Sequence, residues 1–315
     1  MGDVVHNLPV VSDLRASIPD CRIDWMVEEA FSAIPALHWG VDQVIPVSIR
    51  RWRKHPFAAD TRREIVQLWN RLRQTQYDEV IDTQGLLKSA LLAWMANGRS
   101  HGLDWTSSRE PLRMFYDKVY AVSWSAHAVQ RNRGLASKAL GYAMSGIPEY
   151  GIAARPESTT LLETAFPLQG THEFAVLLHS TSAARKEWPE NDWVGLGEYL
   201  AAQGMISVLP FGSEGEQQRS ERLAARIRGA RVPPALTLDQ LAALISRARI
   251  VVGVDTGLTH LAVALGRPTV GLYCGTNPAA TGLYGSSLAL TLGGIGVMPS
   301  TDEVAGAIKR LLEKP

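Results

Sequence analysis

With only two cysteines in 315 residues, Cys21 and Cys274, the sequence carries neither a disulfide framework nor a C-x-x-C pair. Both thiols read as reduced, as in a cytoplasmic protein. Long apolar runs are missing as well. None approaches the roughly 18 to 20 residues that span a bilayer, and no secretory signal or targeting tail stands out. Charge of one sign is not in excess: 32 Lys and Arg face 31 Asp and Glu, a formal net charge of +1. No overall field therefore advertises a nucleic-acid partner, and no nucleic-acid module is recognisable. There is no P-loop and no G-x-G-x-x-G, which argues against a kinase or a dehydrogenase. No Cys/His cluster has zinc spacing, and no short repeat suggests a solenoid.

What is present is an ordinary globular composition, 46% apolar and 20% charged, at a length comfortable for two domains. Short β-rich runs alternate with amphipathic stretches. Over 60–76, Ile65, Leu68, Trp69 and Leu72 share one helical face. YDEVIDT (77–83) reads as a strand, LLKSALLAWMA (86–96) as a helix, and NGR as the turn that follows. In the second half EFAVLLHS (173–180) is a strand, and WPENDWVGLGEYLAAQG (188–204) is a helix with Pro189 near its first turn and Gly204 at its end. MISVLPFGS is a strand with its loop, GEQQRSERLAARI and 238–247 are helices, ARIVVGVDT is a strand, GLTHLAVALG a helix and RPTVGLYCG a strand. A closing helix starts near Thr301, a plausible cap. Strand–helix–strand order implies parallel βαβ units. The Pro- and Gly-bearing stretch 146–167 reads as a linker. The expected architecture is α/β, two doubly wound domains over 1–150 and 168–315 facing one cleft, with ligands at the carboxyl ends of the strands.

Three strand ends in the second half carry groups suited to an anionic ligand. In VVGVDTGLTHLAVALG the β-branched strand ends at Asp255, Thr256 and Gly257 make the turn, and a helix begins. Free N–H groups at a helix start suit a phosphate, Gly257 allows close approach, and His260 falls on the first turn. Asp255 could accept from sugar hydroxyls; helix capping by Asp255 and Thr256 explains the same residues as well. In HSTSAARKEW, Thr181, Ser182, Arg185 and Lys186 form a plausible diphosphate clamp, or a solvated loop. In PFGSEGEQQ, Glu216 could accept from ribose hydroxyls, or simply favour the helix start. Trp188 and Trp193 read as packing groups. The first half is basic in places. Between Ile49 and Arg73 there are eight Lys or Arg against two acids, Asp60 and Glu64. IRRWRK (49–54), Lys88 in DTQGLLKSA and Arg109 in HGLDWTSSRE place cations on successive loops. Such groups converge on one anionic ligand or remain solvated surface.

Taken together, GDVVHNLP, VIPVSIRRWRK, YDEVIDTQGLLKSA, HGLDWTSSREP, RKEWPE and VDTGLTHLAVALGRPTVGLY resemble the heptosyltransferases of lipopolysaccharide inner-core synthesis, glycosyltransferase family 9. The resemblance covers essentially the whole chain. It implies the GT-B fold of two Rossmann-like domains and an inverting transfer of L-glycero-D-manno-heptose from ADP-heptose. The IRRWRK, DTQGLLKSA and HGLDWTSSRE stretches point to members whose acceptor is a Kdo hydroxyl of Kdo-lipid A. By that resemblance Asp3 is the general base. Lys186, Thr181 and Ser182 steady the diphosphate with Thr256, Gly257 and His260. Asp255 holds the heptose, Glu216 the ribose, and Leu236 lines the adenine slot. Arg50, Arg51, Lys54, Lys88 and Arg109 meet the acceptor's phosphates and carboxylates. No metal or other cofactor is implied. The partners are ADP-heptose, Kdo-lipid A and the inner-leaflet membrane surface, which Trp52 and the basic segment suit; the enzyme is expected to be cytoplasmic and peripheral at the inner membrane.

Two departures bear on function. Position 182 is Ser where the family commonly has Thr, which keeps the hydroxyl. The family pattern also places a central parallel strand and a Ser-rich loop ahead of the Gly2-Asp3 pair, and this sequence has neither there. Two other readings remain: a family member with a different inner-core acceptor, or a sugar-nucleotide-binding chain without turnover.

Overall fold

A computed structural model describes residues 1–168, 173–181 and 183–313. The chain forms two compact units. One holds residues 6–36 and 40–148. The other holds the chain from Glu149 onward, together with Met1–Val5 and Leu37–Trp39. This division differs from the sequence expectation of 1–150 and 168–315. The 146–167 stretch is not a bare linker, because a helix (Pro156–Ala165) forms inside it and packs in the second unit. Pro156 at the first helical position starts that helix without losing a needed N–H.

The first unit contains α1 (Gly2–Ser17, whose first turn belongs to the other unit), β1 (Asp24–Glu28), α2 (Ala33–Ala36), β2 (Gln43–Val47), α3 (Ile49–Lys54), α4 (Ala59–Gln74), β3 (Gln76–Ile81), α5 (Leu87–Met95), β4 (Asn97–Leu103), β5 (Lys118–Tyr120) and α6 (Ala128–Leu140). All strand pairings are parallel. The strands form two separate sheets, β1-β2 and β3-β4-β5. β1 and β3 nevertheless share one core: Met26 and Tyr77 pack with Ile45, Val47, Leu68 and Leu72. The Tyr77 hydroxyl also donates to Asp24 across the gap at 3.1 Å. Among the described residues no ladder joins these two strands. NGR is not a turn. Asn97, Gly98 and Arg99 are the first residues of β4, because Gly98 sits flat against β3, where a Cβ would lie 2.6 Å from the Tyr77 carbonyl oxygen. Gly2 and Asp3 form the first turn of α1.

The second unit contains α7 (Pro156–Ala165), β6 (Phe174–Leu178), a 3-10 turn (Ala184–Lys186), α8 (Glu190–Ala202), β7 (Ile206–Val208), α9 (Glu214–Ala224), α10 (Leu238–Arg247), β8 (Ile250–Val254), α11 (Gly257–Ala264), β9 (Thr269–Tyr273), α12 (Pro278–Thr281), β10 (Ala289–Gly293) and α13 (Thr301–Leu312). Its sheet runs β10-β9-β8-β6-β7, all parallel. β6, β8 and β9 are buried along their whole length, as central parallel strands must be. One face is covered by α8 and α13, with Trp188 and Trp193 packed edge to face, 5.1 Å between ring centroids, and fully buried. The Trp188 indole N–H donates to the Pro299 carbonyl at 2.8 Å, so its polar edge is satisfied inside the core. The last helix is capped by Ser300, not Thr301: Ser300 accepts from the Glu303 amide while Glu303 reaches back to Ser300. Among the described residues no helix is long and apolar enough to cross a membrane.

Candidate active site

In the second unit the strand order reverses between β6 and β8. β6 feeds the chain outward to β7 on one side, and β8, β9 and β10 follow on the other. The loops leaving the carboxyl ends of β6 and β8 therefore diverge and open a crevice, the usual ligand position in such sheets. Asp255 follows β8 directly, and the turn carrying Lys186 follows β6. Across the crevice the Lys186 ammonium donates to Asp255 Oδ2 at 2.7 Å, and Thr276, on the loop after β9, donates to the same oxygen at 2.8 Å. The His260 ring lies 3.8 Å from Oδ1, and Thr181 Oγ1 donates to the Asp255 carbonyl at 3.3 Å. Burial pushes the Asp255 carboxyl upward, but hydrogen bonds from His260, Lys186 and Thr276 outweigh it and hold the group well below the usual carboxylate range. Asp255 is therefore an anion that carries its own ammonium.

Local sequence explains this convergence. Gly253 in β8 lets α11 pack close, since a Cβ there would meet Thr259 Oγ1, whose hydroxyl donates to the Val254 carbonyl at 2.7 Å. Gly275 does the same for the loop after β9: a Cβ there would collide with the Arg185 carbonyl oxygen. That contact brings Thr276 to Asp255. Thr276 was not among the sequence candidates, although GTNP directly after a buried strand is the same strand-end signal that marks the other loops. The capping reading of Asp255 and Thr256 is not what forms. Thr256 makes no side-chain cap bond and the Asp255 carboxylate faces Lys186.

The remaining candidates fall unevenly. Gly257 opens α11, and a Cβ there would lie 2.5 Å from the Cβ of Met1, so the close approach at this glycine is made by the Met1 side chain. Gly2 is close to the His260 ring. Asp3, exposed on the first turn of α1, thus belongs to the same compact unit as the Lys186–Asp255 pair. Glu216 folds back on its helix start: Gly212 N–H donates to its Oε2 at 2.7 Å and Ser213 accepts from its amide. Leu236 is half-buried in the segment before α10, and Ser182 lies outside the described residues. Among the described residues no three His, Cys, Asp or Glu side chains group to hold a metal ion.

Beside Thr181, His179 is fully buried at the end of β6 and bonds Ser220 and Ser180, each at 2.8 Å. Burial first, and then the positive charge of Arg219, push its pKa down to about 4 from an ordinary 6.5. The unfolded chain then takes up a proton between pH about 6.5 and 4 that the folded unit refuses. Stability is complete above this window and falls as pH drops through it, by about 3 kcal/mol in all. Thermal unfolding from pH 7 to pH 4 is expected to show that fall, and His179→Asn, although less stable at pH 7, is expected to flatten it. An equal slope in the variant would assign the acid sensitivity elsewhere.

In the first unit the predicted cations have different fates. Arg51 is engaged: its guanidinium grips Glu64 with two bonds of 3.0 Å and also reaches Glu29 and Ser48. Hydrogen bonds from Arg51 first, and then from Trp52, hold the Glu64 carboxyl below its usual range. Trp52 is packed rather than exposed. It joins the Leu68–Leu72 core and its indole N–H donates to Glu64 at 2.7 Å. Arg50 lies over the Phe31 ring at 5.2 Å, and Arg50 and Lys54 are exposed on α3. The segments that carry Lys88 and Arg109 are tied together, because the Leu87 amide at the start of α5 donates to Glu110 at 2.6 Å. The loop before α5 is held by buried Asp82, which accepts from the Gln84 amide and from the Tyr116 hydroxyl.

The family model for glycosyltransferase family 9 (heptosyltransferase) matches residues 65–305. The chain belongs to this family. It is 41% identical to lipopolysaccharide heptosyltransferase 1 of Escherichia coli (strain K12), over 91% of this chain and 89% of that one. It is 43% identical to lipopolysaccharide heptosyltransferase 1 of Pseudomonas aeruginosa, over 91% of this chain and 79% of that one. In three dimensions it is similar to the E. coli heptosyltransferase WaaC with ADP, with a TM-score of 0.86 and 38% identity, covering 99% of this chain and 96% of that one. WaaC solved with ADP-2-deoxy-2-fluoro heptose gives a TM-score of 0.82. The fold is GT-B, and the glycosyltransferase expectation read from the sequence holds.

Proposed function

We propose that the chain transfers heptose from ADP-heptose to a Kdo hydroxyl of Kdo-lipid A, with inversion, in building the lipopolysaccharide inner core. Membership of the heptosyltransferase family and the likeness to WaaC with an ADP-heptose analogue support a heptosyl donor. The observation that carries the reading is the Lys186–Asp255–Thr276 cluster at the β6/β8 crevice. A diphosphate arriving there meets the Lys186 ammonium, and Thr181 and the α11 start supply hydrogen bonds. The Asp255 carboxylate, released in part from Lys186, accepts from heptose hydroxyls. Glu216 and Leu236 take the ribose and the adenine. Asp3 accepts the proton of the acceptor hydroxyl as that oxygen attacks the anomeric carbon. The carbon–oxygen bond to the diphosphate breaks on the opposite side, and ADP departs with the electron pair against Lys186. Arg50, Lys54, Lys88 and Arg109 meet the acceptor's anionic groups, with Arg51 firming α3 beneath them.

Purified protein incubated with ADP-heptose and detergent-dispersed Kdo-lipid A is expected to add one heptose, read by mass spectrometry. Transfer only to an acceptor that already carries heptose would reassign the acceptor. No transfer to either would overturn the reading.

A further inference from the structure

α5 is apolar on more sides than its own fold needs. Ala90 and Ala93 are buried against Leu112 and Tyr116, while Leu92 and Met95 pack on the Leu68–Leu72 core. Leu87, Leu91 and Trp94, spaced i, i+4 and i+7, point away from both cores and are 47%, 43% and 55% exposed. A second apolar group, half-buried Trp69 with exposed Val66, adjoins them on α4. Trp69 meets Trp94 with 5.7 Å between ring centroids, and Val66, one turn earlier, is 56% exposed. Cations border this face. Arg73 lies over the Trp69 ring at 4.5 Å, and Arg62 sits one turn before Val66. Exposed Arg53 and Lys54 lie just ahead in the chain, followed by Phe57, which is 86% exposed.

We propose that the outer face of α4 and α5 docks on an anionic lipid bilayer. The charge complementarity favours this occupant over a protein. The charged side chains on and around the indoles, Arg73, Arg62, Arg53 and Lys54, are cations, and an apolar face bordered by cations matches the headgroups of an anionic leaflet. Indoles with one polar edge settle at the headgroup level, aliphatic side chains reach below it, and arginine stems keep their charge at the anionic surface. The inference rests on the proposed function for its purpose, since it names the surface by which the enzyme reaches an acceptor carried in a membrane. The face itself is tested without donor or acceptor.

The experiment is co-sedimentation with vesicles containing phosphatidylglycerol and with vesicles of phosphatidylcholine alone, for the wild-type chain, Leu91→Ser/Trp94→Ser and Arg62→Glu/Arg73→Glu. These side chains are exposed, and circular dichroism checks that the variants fold. The wild type is expected to bind the anionic vesicles and to leave them as salt rises. Each double variant is expected to bind about tenfold more weakly or worse, yet to keep wild-type transfer to detergent-dispersed acceptor. Failure of the wild type to bind anionic vesicles, or wild-type binding by both variants, overturns the proposal. So does a wild-type dimer that Leu91→Ser/Trp94→Ser renders monomeric, because the face would then pair two copies. Loss of transfer in detergent with vesicle binding intact would sink the enzymatic reading alone.

Discussion

Asp3→Asn is expected to lower kcat by about 10²- to 10⁴-fold, the range a positioned general base supplies. Asparagine keeps the size of the side chain and its place on the first turn of α1, but its amide cannot take the acceptor proton. The loss should fall on kcat, with the donor KM nearly unchanged, because the proposed diphosphate contacts lie on other residues. ADP binding, followed by calorimetry, is expected to match the wild type. A variant that turns over at the wild-type rate would remove Asp3 from the chemistry and leave the family membership standing. The first-turn placement makes the test clean: a helix terminus tolerates asparagine, so a large rate loss cannot be ascribed to unfolding.

Lys186→Ala is expected to cost about 10²- to 10³-fold in kcat, as does removal of one donor aimed at developing charge, and to raise the donor KM as well. Two effects combine. The departing diphosphate loses its ammonium, and Asp255 loses the bond of 2.7 Å that partly offsets its burial. A largely buried carboxylate that has lost its ammonium repels the incoming diphosphate, so Lys186→Ala should be worse for ADP affinity than the double variant Lys186→Ala/Asp255→Asn. Calorimetric ADP titration of both variants decides this. Equal affinity in the two would mean that Asp255 does not face the diphosphate. Lys186→Arg restores charge but not shape, and only partial recovery is expected from a planar fork placed where a point charge fits.

The second unit was the more legible in the sequence. Its buried strands are continuous β-branched runs, and its candidate site residues follow the strand ends, where a parallel sheet must turn its chain. Thr181, Lys186 and Asp255 could be named because each loop is short and local. Thr276 could not be tied to Asp255 in that way, since its approach depends on Gly275 lying against Arg185, ninety residues earlier in the chain. Arg51 and Trp52 misled for the same reason: the partner that occupies both, Glu64, sits on the next helix. Nor does periodicity reveal that Met1–Val5 pack with residues far along the chain. Tertiary contacts decide such matters, and local patterns carry no trace of them.

The interrupted sheet of the first unit has its own consequence. β1 and β3 contribute to one core, yet among the described residues each pairs with a neighbouring strand on one side only. A strand edge without a ladder presents unpaired main-chain N–H and C=O groups, a template on which another extended chain can pair. These edges are therefore where self-association of the first unit would begin.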